Sequence, residues 1–278
     1  MTPPPEKIAE LRAFAGALAD AAHAAILPHF RTALDVEAKA GVKPGFDPVT
    51  VADRNAEAAM RALIEKTYPD HAILGEEFGE KPGAGEYAWV LDPIDGTRAF
   101  ISGLPLWGVL IGLVREGAPL IGVIDQPYIG ERFTGFPGGA AYESRAGSGK
   151  LRARPCARLT EATFSTTDPH LFAGAEAGAV EMVRQTAKLT RFGCDCYAYA
   201  MVASGHIDIV IESGLASWDV AALAPVVEGA GGALRDWTGR PLHETDWFMQ
   251  PAGRGQIVAV GDARVLDDAL VALKRAAR

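Results

Sequence analysis

Cysteine is scarce in this chain: Cys156, Cys194 and Cys196 are the only three among 278 residues. An odd, sparse count argues against a disulfide framework. Cys194 and Cys196 do not have the CxxC spacing of a redox or zinc pair, so packed thiols in a reducing compartment are expected. Long apolar runs are missing too; none approaches the roughly 18 residues that a membrane span needs. The opening Met1-Thr2-Pro3-Pro4-Pro5-Glu6 lacks the basic start and apolar stretch of a signal peptide. Basic residues are outnumbered, 27 Lys and Arg against 35 Asp and Glu, for a formal net charge of −8. No basic stripe offers itself to a nucleic-acid backbone. The six histidines are scattered without metal-ligand spacing, which leaves each a structural or surface role. These absences lead us to expect a cytoplasmic protein with neither a membrane nor a nucleic-acid partner.

What is present is globular in composition, 49% hydrophobic and 22% charged, and long enough to bury a full core. Pro4 and Pro5 introduce a helix to about residue 29, with Ile8, Leu11, Phe14, Leu18 and Ile26 on its apolar stripe. A Gly/Pro-rich loop over 41–48 precedes a second helix, 50–67, whose start carries Thr50 and Asp53 in capping-box spacing. Strands are predicted at 72–74, 87–91, 107–115 and 120–126, the last two around a turn at Glu116-Gly117. Beyond about residue 154 the texture alternates: helix 176–188, strand 189–192, a helix from Asp195, strand 207–211, a helix 218–229, strand 256–260 and a final helix from Ala263. Residues 1–154 therefore read as an α+β half with an antiparallel sheet, and 155–278 as an α/β half, with the boundary near Arg154-Pro155.

Several acidic residues stand at strand ends or helix starts instead of on polar faces. Gly75-Glu76-Glu77 follows one predicted strand, and Asp92-Pro93-Ile94-Asp95-Gly96-Thr97 follows another; Asp53, Glu212 and Asp219 complete the set. Each has a plain reading by itself. Asp95-Gly96 is a common turn pair, Glu76-Glu77 a solvated pair, Asp53 the acid of a capping box and Asp219 an N-cap. Together they suggest more. Carboxylates clustered as closely as Asp92 and Asp95 repel one another unless a cation lies between them. Ile94 can offer its carbonyl, Gly96 allows close approach of a ligand, and amides at a helix start near Thr97 attract phosphate. Hard oxygen ligands beside a phosphate site suit magnesium.

At these residues the sequence resembles the inositol monophosphatase-like metal-dependent phosphatases. The motifs run in order: Asp47-Pro48-Val49-Thr50 with Ala52-Asp53, Gly75-Glu76-Glu77, Asp92 to Thr97, Trp218-Asp219-Val220-Ala221, and Glu228-Gly229-Ala230-Gly231-Gly232. The resemblance implies a layered αβαβα sandwich, assembled as a homodimer, with most metal ligands in the first half and Asp219 and the substrate contacts in the second. It implies two to three magnesium ions. Glu76, Asp92 and the Ile94 carbonyl would hold one; Asp92, Asp95 and Asp219 a second; Glu76, with Glu77 nearby, a third. Gly96 and Thr97 would bind the phosphate of a small-molecule monoester. Thr97, positioned by Asp53, and Glu76 would orient and deprotonate the attacking water, with no phosphoenzyme. A lysine near the metal water is also implied, Lys39 being a better match than Lys43.

The substrate is read from departures. Inositol phosphatases of this family have an asparagine where Ala99 stands, and small apolar residues where this chain has Arg191-Phe192-Gly193-Cys194-Asp195-Cys196-Tyr197-Ala198-Tyr199. Both differences, and Gly205-His206-Ile207-Asp208, resemble the histidinol-phosphatase branch. Histidinol phosphate carries an ammonium and an imidazole, and carboxylates at Asp195 and Glu212 would hold a cation by charge-assisted hydrogen bonds. Asp195 also reads as a helix cap, and Glu212 also matches a substrate contact of inositol phosphatases, as Asp219 does. Arg98, next to Thr97, reads equally as a charge beside the substrate or as surface. The alternatives are an inositol-1-monophosphatase, a broad phosphatase of sugar or nucleotide phosphates, and a non-catalytic relative that binds metabolites, which loss of a metal ligand would mark; every matched position is filled by the expected type.

Overall fold

The computed structural model describes residues 2–33, 36–38, 48–244 and 255–277; Lys39, Lys43 and Asp47 lie outside the described residues. The helices are α1 (Pro5–Ile26), α2 (Val51–Thr67), α3 (Thr97–Ile101), α4 (Ala175–Thr186), α5 (Asp195–Ala203), α6 (Ser217–Val220), α7 (Leu223–Gly229) and α8 (Ala263–Leu273). Strands β1 (Glu37–Ala38) and β2 (Pro48–Val49) pair with each other. The first large sheet is built from β3 (Ala72–Gly75), β4 (Gly79–Lys81), β5 (Tyr87–Asp95), β6 (Gly108–Arg115), β7 (Ala118–Gln126), β8 (Glu131–Phe136), β9 (Gly139–Ser144) and β10 (Gly147–Lys150). The second comprises β11 (Thr163–Thr166), β12 (Leu189–Phe192), β13 (Ile209–Leu215), β14 (Ala233–Asp236) and β15 (Gly255–Val260).

Strand order in the first sheet is β10-β9-β8-β7-β6-β5-β3-β4, antiparallel except for β3 beside β5. The second sheet runs β12-β11-β13-β15-β14. It is mixed: β11 lies parallel to β12 and β13, while β13, β15 and β14 pair antiparallel. Three apolar cores hold the layers together. Helices α1 and α2 bury Leu11, Leu18, Met60 and Ile64 against Trp89, Leu91 and Ile111 of the first sheet. Between the sheets, α5 and α7 pack Ala200, Val202, Val226 and Val227 against Leu110, Ile124 and Val210. Outside the second sheet, α4 and α8 cover Phe164, Ile209 and Val258. The fold is thus the αβαβα sandwich expected of the family resembled.

A lane of glycines sets how closely the middle helices approach the first sheet. Gly112, Gly122 and Gly135 are register partners on β6, β7 and β8. With no side chains there, the backbone of Ala221, Ala222 and Pro225 lies directly on the sheet; a Cβ on Gly122 would overlap the Ala222 carbonyl oxygen, and one on Gly135 the Pro225 carbonyl. The sequence pattern predicts one helix over 218–229, but the structure has two, α6 and α7, with a turn at Ala221 and Ala222. Pro225 accounts for the break. It has no N–H to donate to the Ala221 carbonyl, and its ring crowds that carbonyl.

Substituting Gly122→Ala should therefore destabilise the protein by about 1–3 kcal/mol through overpacking. The control is Gly178→Ala in α4, where an added Cβ meets nothing within 4 Å, and which should gain stability, at most about 1 kcal/mol. Denaturant unfolding of both variants checks this; equal effects at the two positions would contradict the packing account.

Candidate active site

Strand β5 ends in a bulge. Asp92 pairs with Leu110 and Asp95 with Gly108, so β5 carries one residue more than β6 over this stretch. In a regular strand, residues three apart face opposite sides. The extra residue turns Asp95 to the side of Asp92, and Pro93, which cannot donate to a ladder, sits where ladder bonds are interrupted. The glycine lane brings α6 to the same place from the other half of the chain. Asp92, Asp95 and Asp219 then each offer an oxygen within 4.8 Å of the others. Together with Glu76, Ile94, Gly96, Thr97, Arg98, Asp195, Glu212 and Tyr199 they line one cleft.

These carboxylates are held from behind by backbone N–H groups. Cys196 N, at the start of α5, donates to Asp95 Oδ2 at 2.6 Å. Ala216 N donates to Asp219 Oδ2 at 2.6 Å, and Thr167 N to Glu212 Oε1 at 2.8 Å. Asp92 is different: its Oδ1 is buried and accepts no hydrogen bond. Burial pushes the Asp92 carboxyl well above the usual carboxylate range, and the charges of Glu76, Asp95 and Asp219 push it further. An orphaned carboxylate oxygen among like charges is what a hard cation with oxygen ligands would satisfy, so the donor set fits a divalent metal.

The phosphate loop is tightly built. Gly96 has a φ of 82° and leads into α3; a Cβ there would lie 3.1 Å from Asp195 Cγ and 3.2 Å from Leu106 O. Thr97 Oγ1 donates to the Ile94 carbonyl at 3.0 Å, which keeps a second lone pair. Asp53 is fully buried and takes part in the predicted capping box: Thr50 N and Thr50 Oγ1 both donate to Asp53 Oδ2, at 2.9 and 2.6 Å. Asp53 is not among the residues lining the cleft, although β2, just before its helix, packs against α3. Arg98 Nη1 lies 3.9 Å from Asp168 Oδ2 at the cleft wall. Asp195 is the first residue of α5, with Cys194 at the cap position. Burial and the Asp95 charge push the Cys196 thiol well up.

One residue that positions the site, Glu57, belongs to none of the sequence motifs. It is fully buried, accepts from Glu77 N at 2.7 Å and Phe78 N at 3.2 Å, and pairs with Arg61, which also donates to the Gly79 carbonyl. It holds the Gly75-Glu76-Glu77 loop to α2, and Gly75 is bare because a Cβ would overlap the Glu57 carboxylate. The signal available was a glutamate on the buried face of α2, among Ala56, Met60 and Ile64.

Oxygen ligands gathered from both halves of a layered sandwich, beside a loop that leads into a helix start, define a site of the metal-dependent hydrolase class. Comparison with known proteins makes this specific. A sequence model of the inositol monophosphatase family matches residues 7–276, and the chain belongs to that family of phosphatases, which act on small phosphate monoesters. It is 43% identical to the bifunctional phosphatase IMPL2 of Arabidopsis thaliana, a chloroplastic protein, over 94% of this chain and 74% of that one. It is 37% identical to a histidinol-phosphatase of Chlorobaculum parvum, covering 77% and 84%. A solved inositol monophosphatase from Zymomonas mobilis superposes with a TM-score of 0.82 at 39% identity, over 95% of this chain and 98% of that one. Among the described residues no helix is long and apolar enough to cross a membrane.

Asp92→Asn removes one of the crowded charges. In chelator the variant should melt several degrees above the parent protein. Magnesium should raise the stability of the parent, by about 2.7 kcal/mol at a hundredfold excess over Kd, and barely move the variant. Thermal melts with and without magnesium decide; a variant less stable than the parent in chelator would refute the repulsion argument.

Proposed function

We propose that this protein is a magnesium-dependent histidinol-phosphatase, hydrolysing L-histidinol phosphate to L-histidinol and phosphate in histidine biosynthesis. Two to three ions would be held by Glu76, Asp92, the Ile94 carbonyl, Asp95 and Asp219. When bound, magnesium would neutralise phosphate charge and acidify a water molecule. The chain's own groups do the rest. Glu76 and Thr97, the latter positioned by Asp53, would orient the attacking water, and the Glu76 carboxylate would take its proton. The Gly96 and Thr97 amides hold the phosphate, and Asp219 flanks it. Attack is in line, and water is the nucleophile throughout.

The observation that carries the choice of ester is Asp195. It has a φ of 43°, a left-handed conformation that costs a non-glycine residue about 1–3 kcal/mol and persists where the surroundings enforce it. It lines the cleft against Gly96, and it follows the cap of α5 instead of serving as that cap. A second carboxylate, Glu212, lines the same cleft and is 3% exposed. Two carboxylates beyond the metal set favour a leaving group that carries positive charge, and histidinol does where inositol does not. The names of the Chlorobaculum relative and of others at 34–35% identity agree. A second reading, an enzyme that also accepts inositol phosphates, is favoured by Glu212, which suits either alcohol, and by the bifunctional name of the Arabidopsis relative.

Phosphate release measured side by side from histidinol phosphate and inositol 1-phosphate, with magnesium and with chelator, tests the proposal. Strong preference for histidinol phosphate is expected. Asp195→Asn should reduce that preference by about 10- to 100-fold, the value of a hydrogen bond to a charged group. Equal use of both esters by the parent protein would leave the general phosphatase and remove the assignment.

A further inference from the structure

Of the six histidines, only His71 is buried. It stands between the end of α2 and the start of β3. Its Nδ1 accepts a hydrogen bond from the Trp89 indole nitrogen at 3.1 Å. An indole can only donate, so the ring is neutral and carries its proton on Nε2. Tyr68 stacks on it, with ring centroids 4.5 Å apart and planes at 4°. Tyr87 lies against it at 5.0 Å.

This one acceptor nitrogen joins several elements. Tyr68 caps the C-terminus of α2, and its hydroxyl donates to Glu10 of α1 at 2.6 Å. Lys7 of α1 pairs with the same carboxylate at 2.7 Å. Phe14 of α1 packs against both Tyr68 and Trp89. Trp89 is fully buried on β5, where it is the register partner of Ile73 on β3. The outer layer of α1 and α2 is thereby fastened to the two strands whose far ends lead to Glu76 and Asp92.

A proton on Nδ1 would set a donor against a donor. The Trp89 N–H, enclosed in the core, would lose its acceptor, and a buried donor left unsatisfied is costly. The charged groups around the ring do not offset this. Lys7 opposes a positive charge there; Glu10, Asp70 and Glu86 favour one, but Glu10 is engaged by Lys7 and Glu86 by Arg115 at 2.6 Å. Lys81 of β4 reaches the Pro69 carbonyl at 3.3 Å and adds another cation nearby. Burial is the largest influence and holds the His71 imidazole below its ordinary range.

We propose that His71 is an acid-sensitive lock: neutral, it fastens α1 and the end of α2 to β3 and β5, and its protonation releases them. Below the ordinary histidine value of 6.5, the unfolded chain takes up a proton that the folded chain refuses. The stability contributed by the lock is therefore complete above that pH and is lost as pH falls below it.

The test compares unfolding of the parent protein and of His71→Asn across pH, both at saturating magnesium. Asparagine offers an acceptor oxygen close to the Nδ1 position but takes up no proton. As pH falls from about 7 to about 5, the folding equilibrium constant of the parent should drop more steeply than that of the variant, by up to about tenfold per pH unit. Equal slopes overturn the proposal, whatever the stability of the variant. A second measurement needs only the parent. Nitrogen NMR of labelled imidazoles should show His71 keeping its Nε2–H form below about pH 6.5, and the Trp89 indole proton should lose its protection from solvent exchange only when that form disappears. A His71 that takes up its proton near pH 6.5 while the Trp89 proton stays protected contradicts the lock.

Discussion

The approach of the middle helices to the glycine lane is the constraint on which the site depends. Asp92 and Asp95 come from one half of the chain and Asp219 from the other, and no local sequence rule joins them. They meet because Gly112, Gly122 and Gly135 lie in register and admit the backbone of Ala221, Ala222 and Pro225 to the sheet surface. The Pro225 break continues the same geometry, ending α6 just after Asp219 and turning the chain along the lane. One β-bulge then aligns Asp92 with Asp95. Sheet register, helix docking and a single extra residue together place three carboxylates within 4.8 Å.

That placement works against stability in the absence of a cation, and the fold shows how it is tolerated. Asp95, Asp219 and Glu212 each have an oxygen anchored by a backbone N–H, at the start of α5, ahead of α6 and after β11. Charge-assisted bonds of this kind are among the stronger ones. They fix the carboxylates in orientation while fixing the elements that carry them. Glu57 does the same for the Glu76 loop from α2. Two unsatisfied groups, Asp92 Oδ1 and the Tyr199 hydroxyl, stand in the cleft residues themselves. Polar groups left unsatisfied inside a well-packed protein are expected where a ligand completes them.

Much of this was legible in the sequence, and the rest has identifiable causes. The string Asp92 to Thr97 could be read because its chemistry is contiguous, and the Thr50–Asp53 box because its spacing is local. The turn at Glu116-Gly117 closes β6 to β7 with both residues at positive φ, as a type I′ hairpin turn requires. The bulge at Asp92 and Asp95 could not be read, since it exists only in the pairing of β5 with β6 and leaves no mark on the composition of either strand. The glycine lane is likewise invisible until three strands pair. Pro225 is visible in the sequence, and its missing N–H is reason enough to divide the helix predicted over 218–229. The second half reads as α/β in sequence, but antiparallel β14 and β15 make its sheet mixed.

The most direct test of the central claim, that carboxylates from both halves of the chain share a cation, is anomalous scattering from a crystal soaked in manganese as a stand-in for magnesium. The account predicts a peak bounded by Asp92, Asp95 and Asp219. No peak there at saturating manganese, in crystals whose cleft is open to solvent, would contradict it.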